Sequence, residues 1–151
     1  MVEKLTVPTM KKRLDTLLKA VRYEDSPDGK INICQTCLMI FPIPELQCGH
    51  FIKRGDQQLK YVPTNVFSQC RRCNHFLDGA QDKAAYYIIK THGLKAFNDL
   101  IETDYKWLAK KLPTLKRKDF VEYYNFWLGY NRHIERTYKI KLIPATWKTA
   151  Q

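Results

Sequence analysis

The sequence predicts an α+β fold, a small hairpin module with helices before and after it. Three observations lead there. Two Cys-x-x-Cys pairs, Cys34 with Cys37 and Cys70 with Cys73, bracket residues 38–69. Short apolar runs bounded by turn residues lie between them, and both flanks carry apolar residues at helical spacing.

Residues 9–22 space Leu14, Leu17, Leu18 and Val21 as one stripe, the pattern of an amphipathic helix, and SPDG at 26–29 ends it with turn chemistry. Cys34 and Cys37 form a knuckle. The following LMIFPIPELQ holds two prolines and suits extended chain rather than helix. Residues 46–52 are expected as a strand, 53–64 as a polar loop and 66–69 as a second strand. The second knuckle opens a short helix that Gly79 ends. Helices are expected over 81–91, 94–112 and about 118–139, with Gly93 and Pro113 as punctuation. The order divides the chain into an N-terminal helix and turn (1–29), a hairpin core (30–93) and a C-terminal helical region packed on that core (94–151).

With 151 residues, 44% hydrophobic and 27% charged, the composition is that of a globular chain able to bury a core. The opening MVEKLTVPTMKKRLD lacks the apolar run of a signal peptide, and nowhere do about 18 apolar residues follow one another. The expectation is a soluble, cytoplasmic protein with no membrane partner. Its net charge of +11, from 26 Lys and Arg against 15 Asp and Glu, favours a polyanion, nucleic acid first.

Five cysteines, four of them in matched pairs, point to metal rather than disulfides. Two intervening residues let the backbone curl so that both sulfurs of a pair reach one ion. Four thiolates are the tetrahedral set that Zn2+ prefers, and a closed set leaves no position for water, so such a zinc is structural. The competing reading is two unrelated pairs of buried thiols. Cys48, left over, reads as a small buried side chain in a strand. Zinc at Cys34, Cys37, Cys70 and Cys73 would bring the charge to about +9, still basic.

Between and just after the knuckles stand His50 at the end of the first strand, Asn65 before the second and Asn74 directly after Cys73. Hydrolysis of a phosphodiester needs a base for water, a cation for the phosphoryl charge and a group that holds the base in line. Histidine titrates near neutrality, and an asparagine amide oxygen suits a hard cation. The constellation resembles the HNH endonucleases, whose finger-like core is the ββα-metal fold. That resemblance implies His50 as general base, Asn65 as the brace that orients it and Asn74 as ligand of a catalytic Mg2+ or Mn2+. Most HNH enzymes carry a further metal-binding carboxylate or histidine just before the base, where this chain has Gly49. Asp78, four residues after Asn74, shares its face at helical spacing and is the second ligand expected here, against a reading as part of a helix-end turn. His75 points about 100° away and is the weaker candidate.

CGHFIKRG together with YVPTNVFSQCRRCNHFLDG is similar to the phage recombination endonucleases of the NinG (Rap) family, over about residues 34–93. The cysteine set followed by asparagine also resembles the junction-resolving endonuclease of T-even phages. The resemblance implies branched DNA, Holliday junctions and D-loops, as substrate, and the host bacterial cytoplasm as location for a phage-encoded chain. Lys53, Arg54, Arg71 and Arg72 are expected to contact the DNA backbone, against a reading as solvated charge. His92 and His133 read as structural or surface groups. The aromatics of residues 121–142 read mainly as helix core, with base stacking or a homodimer surface as alternatives. Rival functions are a non-catalytic zinc-dependent nucleic-acid-binding module, an HNH nicking nuclease without junction preference, and a protein-interaction module using the helical tail.

Overall fold

The first strand lies where the sequence shows none. The computed structural model describes residues 2–53 and 58–151. In it Ile31–Ile33 (β1) pairs antiparallel with Ile40–Pro42 (β2), and the first cysteine pair sits in the turn between them. Three residues are too few for a period of two to register. The turn is closed instead by Cys34 N–H donating to Met39 O (2.9 Å) and Leu38 N–H to Cys34 O (2.8 Å), with Leu38 at φ 62°.

Leu46–His50 (β3) and Val66–Cys70 (β4) form the second antiparallel pair, with Leu46 opposite Cys70, Gly49 opposite Phe67 and His50 opposite Val66. The first of these stops at His50 rather than at the expected Ile52. Its ladder ends there because Phe51 N–H donates to Asn65 O (3.0 Å) and Ile52 N–H to Asn65 Oδ1 (2.8 Å). All of β4 is buried, so Ser68 and Gln69 lie inside with Val66 and Phe67.

After β4 the chain makes one turn of π-helix, Arg72–Phe76, and then Asp78, Gly79 and Ala80 all adopt left-handed backbone (φ 50°, 86° and 48°). The short helix expected there is this single turn. Gln81–His92 (α2) and Leu94–Leu108 (α3) follow, broken at Gly93, whose φ of 94° suits glycine. The second ends before the expected residue 112, because Lys110 turns left-handed and its N–H donates to Trp107 O (2.9 Å). Phe51, Ile52, Leu59 and Phe67 pack with Ala84, Tyr87 and Ile88 of α2 and Leu100 of α3 in one core.

Val21–Thr114 is one compact unit, and the residues up to Ala20 with Leu115–Gln151 are another. The second unit pairs Val7–Leu17 (α1) with Arg117–Tyr138 (α4). Thr6 caps α1 by accepting from Thr9 N–H. Phe120, Tyr124, Trp127, Leu128, Asn131 and Ile134 form the buried stripe of α4, as helical spacing predicts, while Phe126 stays 49% exposed. Asn131 Nδ2 donates to Leu17 O and Trp127 O (both 2.8 Å), and Arg13 donates to Glu3 (2.8 Å) and to Tyr124 Oη (3.1 Å).

The units cut the chain elsewhere than the expected 29 and 93. The C-terminal region is divided: α3 gives Leu100 to the core of the hairpin unit, whereas α4 lays its apolar stripe on α1. Helices and two small sheets make the architecture α+β, and among the described residues no helix is long and apolar enough to cross a membrane.

Candidate functional site

The turn of the first hairpin and the end of β4 bring the two knuckles together. The Sγ atoms of Cys34, Cys37, Cys70 and Cys73 all lie within 4.8 Å of one another, with Cys37 and Cys70 at 4.0 Å. A tetrahedral zinc with bonds of about 2.3 Å needs sulfurs about 3.8 Å apart. Cys34, Cys70 and Cys73 are buried and Cys37 half-buried. Burial pushes the Cys34 thiol up, but hydrogen bonds from Thr36 (Oγ1 at 3.2 Å) and from backbone N–H groups outweigh it and bring it down to about 6. Burial, together with the neighbouring sulfurs, pushes Cys73 up to about 12. Charging one sulfur thus opposes charging the next, and a divalent cation at their centre removes the conflict. The four residues fit zinc. Among the described residues no other group of three or more His, Cys, Asp or Glu side chains could hold a metal ion.

His50 ends β3 with its Nε2 3.0 Å from Lys60 O. Asn65, wholly buried, accepts from Ile52 N–H (2.8 Å) and donates through Nδ2 to Ile52 O (3.2 Å) and Leu59 O (3.0 Å). One side chain therefore ties the residues just after His50 to the segment that supplies its carbonyl partner.

Gly49 has a physical reason to be glycine. A Cβ there would lie 2.1 Å from Gln69 Oε1 and 2.8 Å from Gln69 Cδ. That amide cannot easily step aside: it is fully buried, and Nε2 donates to Thr36 Oγ1 (3.2 Å) and Gly79 O (2.9 Å). Gln69 thus connects the first knuckle to the left-handed turn after the second, and Oε1 lies over Gly49 with no hydrogen-bond partner among the described residues. The side chain of Gln69 fills the space that any side chain at position 49 would enter.

Asn74 does present an oxygen, but to a lysine. Lys53 Nζ donates to Asn74 O (2.6 Å) and Asn74 Oδ1 (3.0 Å), and Asn74 Nδ2 donates to Gln47 Oε1 (2.8 Å). Burial lowers the Lys53 pKa, while the charge of Asp78 opposes that shift. Asp78 does not stand one α-helical turn from Asn74, because the π-turn and the left-handed residues replace the helix that this spacing presumed. Arg71 and Arg72 are exposed, with Arg71 Cζ 5.6 Å from the Phe76 ring centre. Arg54 lies outside the described residues.

No family model matches the chain, and no curated protein or solved structure matches it.

The other sequence-selected residues stand apart from this arrangement. His75 is exposed and packs edge-on against Phe76 (5.2 Å). His92 is half-buried, edge-on to Tyr87 at 6.1 Å, and burial lowers its pKa; His133 is exposed on α4. Cys48, opposite Ser68, is half-buried rather than buried as expected, and the burial of its thiol pushes it up to about 12, a poor nucleophile. Sequence reasoning missed Gln69, Gln47 and the Lys60 carbonyl. For Gln69 a signal existed, a polar side chain beside Cys70 in a strand with no polar face, but its partner Gly49 lies on the neighbouring strand.

Proposed function

We propose that this chain is a metal-dependent DNA endonuclease of the HNH kind, hydrolysing phosphodiester bonds in branched recombination intermediates such as Holliday junctions and D-loops. The observation that carries the proposal is the hold on His50. Its Nε2 meets the Lys60 carbonyl, and the buried Asn65 fixes both chain segments that set this contact. The Lys60 carbonyl can only accept, so Nε2 carries the hydrogen, and this bond sets the tautomer and the plane of the ring for a general base. Asn74 would hold Mg2+ or Mn2+, which supplies neutralisation of charge on the phosphoryl oxygens; helical spacing no longer supports Asp78 as second ligand, and what supports it is the action of its charge on Lys53 at the Asn74 oxygens. Lys53 acting as stand-in cation on the Asn74 oxygens supports that fit. Zinc on the four cysteines is structural in this reading. Lys53, Arg54, Arg71 and Arg72 contact phosphates and fix position without reading sequence. A homodimer would suit paired cuts in a four-way junction.

A second reading has its own support. Gln69 fills the space over Gly49, and among the described residues no group of three or more His, Cys, Asp or Glu side chains besides the four cysteines could hold a metal, as in a zinc module that binds nucleic acid without cutting it. One experiment separates the readings: cleavage of a labelled four-way junction and a matched linear duplex with Mg2+ or Mn2+, by the wild type and by zinc-loaded His50→Ala. The proposal expects junction cutting that falls at least about a hundredfold in the variant while binding persists. Tight binding with no cutting by the wild type selects the binding module. Equal cutting of both DNAs selects a nicking nuclease without junction preference.

A further inference from the structure

The oxygen of Asn74 already faces a cation. Lys53 Nζ lies 2.6 Å from the Asn74 backbone oxygen and 3.0 Å from Oδ1, so one ammonium spans both. This orientation is built in from two sides. Gln47 Oε1 takes the Asn74 Nδ2 (2.8 Å), which turns Oδ1 toward the lysine. Gly79, without a side chain, leaves the lysine its path: a Cβ there would lie 3.2 Å from Lys53 Cε and 3.4 Å from Nζ. The Asp78 carboxylate attracts the same ammonium. Lys53 therefore occupies the Asn74 oxygen assigned above to a divalent cation.

An ammonium and a divalent ion cannot share these oxygens, since each needs the same lone pairs and the two charges repel. We propose that Lys53 is a tethered competitor for the catalytic cation: its ammonium holds the Asn74 oxygens in the free protein, and the metal binds only as the side chain swings out. The inference rests on Asn74 being the cation ligand. It assigns Lys53 a second role beyond backbone contact. A released ammonium is available to a phosphate, so DNA that draws Lys53 off Asn74 raises the affinity for metal, and bound metal raises the affinity for DNA by the same factor. The site would then load its cation chiefly on substrate.

The test measures Mn2+ binding to the zinc-loaded protein without DNA, from the electron paramagnetic resonance signal of free Mn2+. Zinc content and far-UV circular dichroism verify that each variant is folded. Lys53→Met, which removes the charge and keeps the stem, is expected to bind Mn2+ about tenfold more tightly than wild type. Lys53→Arg, which keeps the charge, should bind no more tightly than wild type, and Asn74→Ala should lose the site in either background. Unchanged or weaker binding in Lys53→Met, with binding still abolished by Asn74→Ala, overturns the competition and leaves the assignment of Asn74 standing. Mn2+ binding indifferent to Asn74→Ala, or absent from every variant, overturns both.

Discussion

At position 49 a single missing side chain decides how the site differs from its expected pattern. Any Cβ on Gly49 meets the Gln69 amide at 2.1 Å, and that amide holds Thr36 and Gly79. Gly49→Ala should therefore cost about 1–3 kcal/mol, since the amide must move and give up buried hydrogen bonds. Urea unfolding checks this. Made in a Gln69→Ala background the same change should cost clearly less, and an equal cost in both backgrounds would show that the collision is not its source. Asn65 teaches the complementary lesson. The HNH resemblance alone suggested a brace there, and the three partners of its side chain, Ile52 N–H, Ile52 O and Leu59 O, follow from a chain path that the sequence does not show.

At the scale of elements, α4 was the most legible. Its buried residues recur every three or four positions, and no knowledge of α1 is needed to find the stripe. The segment beyond α4 was not legible. The carboxylate of Glu135 reaches past the helix end to accept from Leu142 N–H (2.8 Å) and Ile143 N–H (3.0 Å), and Arg132 pairs with it at 2.8 Å. Burial pushes its pKa up, but these donors outweigh burial and hold it below the ordinary 4.5. A carboxyl whose folded pKa is depressed contributes stability above its unfolded pKa, and loses it as pH falls through the folded value. Thermal melts of the wild type should thus fall more steeply below about pH 4.5 than those of Glu135→Gln, which is itself less stable at pH 7. Parallel acid profiles would contradict the role given to this side chain.

Zinc at the four cysteines would act on the molecule unevenly. All four cysteines lie in the Val21–Thr114 unit, whose strands are three and five residues long. Two-stranded hairpins of this length are marginal alone, and a structural zinc contributes about 10–16 kcal/mol, as much as a whole domain's net stability. The purified protein is expected to hold one zinc per chain and to lose it in Cys70→Ser. Chelation should melt the hairpins and lower the melting temperature by more than about 10 °C, because the loss equals or exceeds a typical margin. Amide exchange should show the strands unprotected while α1 and α4, which carry no ligand, keep protection. Strand protection unchanged by chelation would remove zinc from the account of this fold.

The sequence by itself determined the α+β class, the cysteine quartet and the amphipathic stripes. Each is written in spacings of a few residues, where helix period, strand period and the reach of a Cys-x-x-Cys turn apply directly. Only the tertiary structure decided that β1 exists, that α4 pairs with α1, that Gln69 fills the space over Gly49 and that Lys53 turns onto Asn74. Those facts join residues on different elements, and which partner a side chain meets depends on where the folded chain returns, which no local spacing encodes.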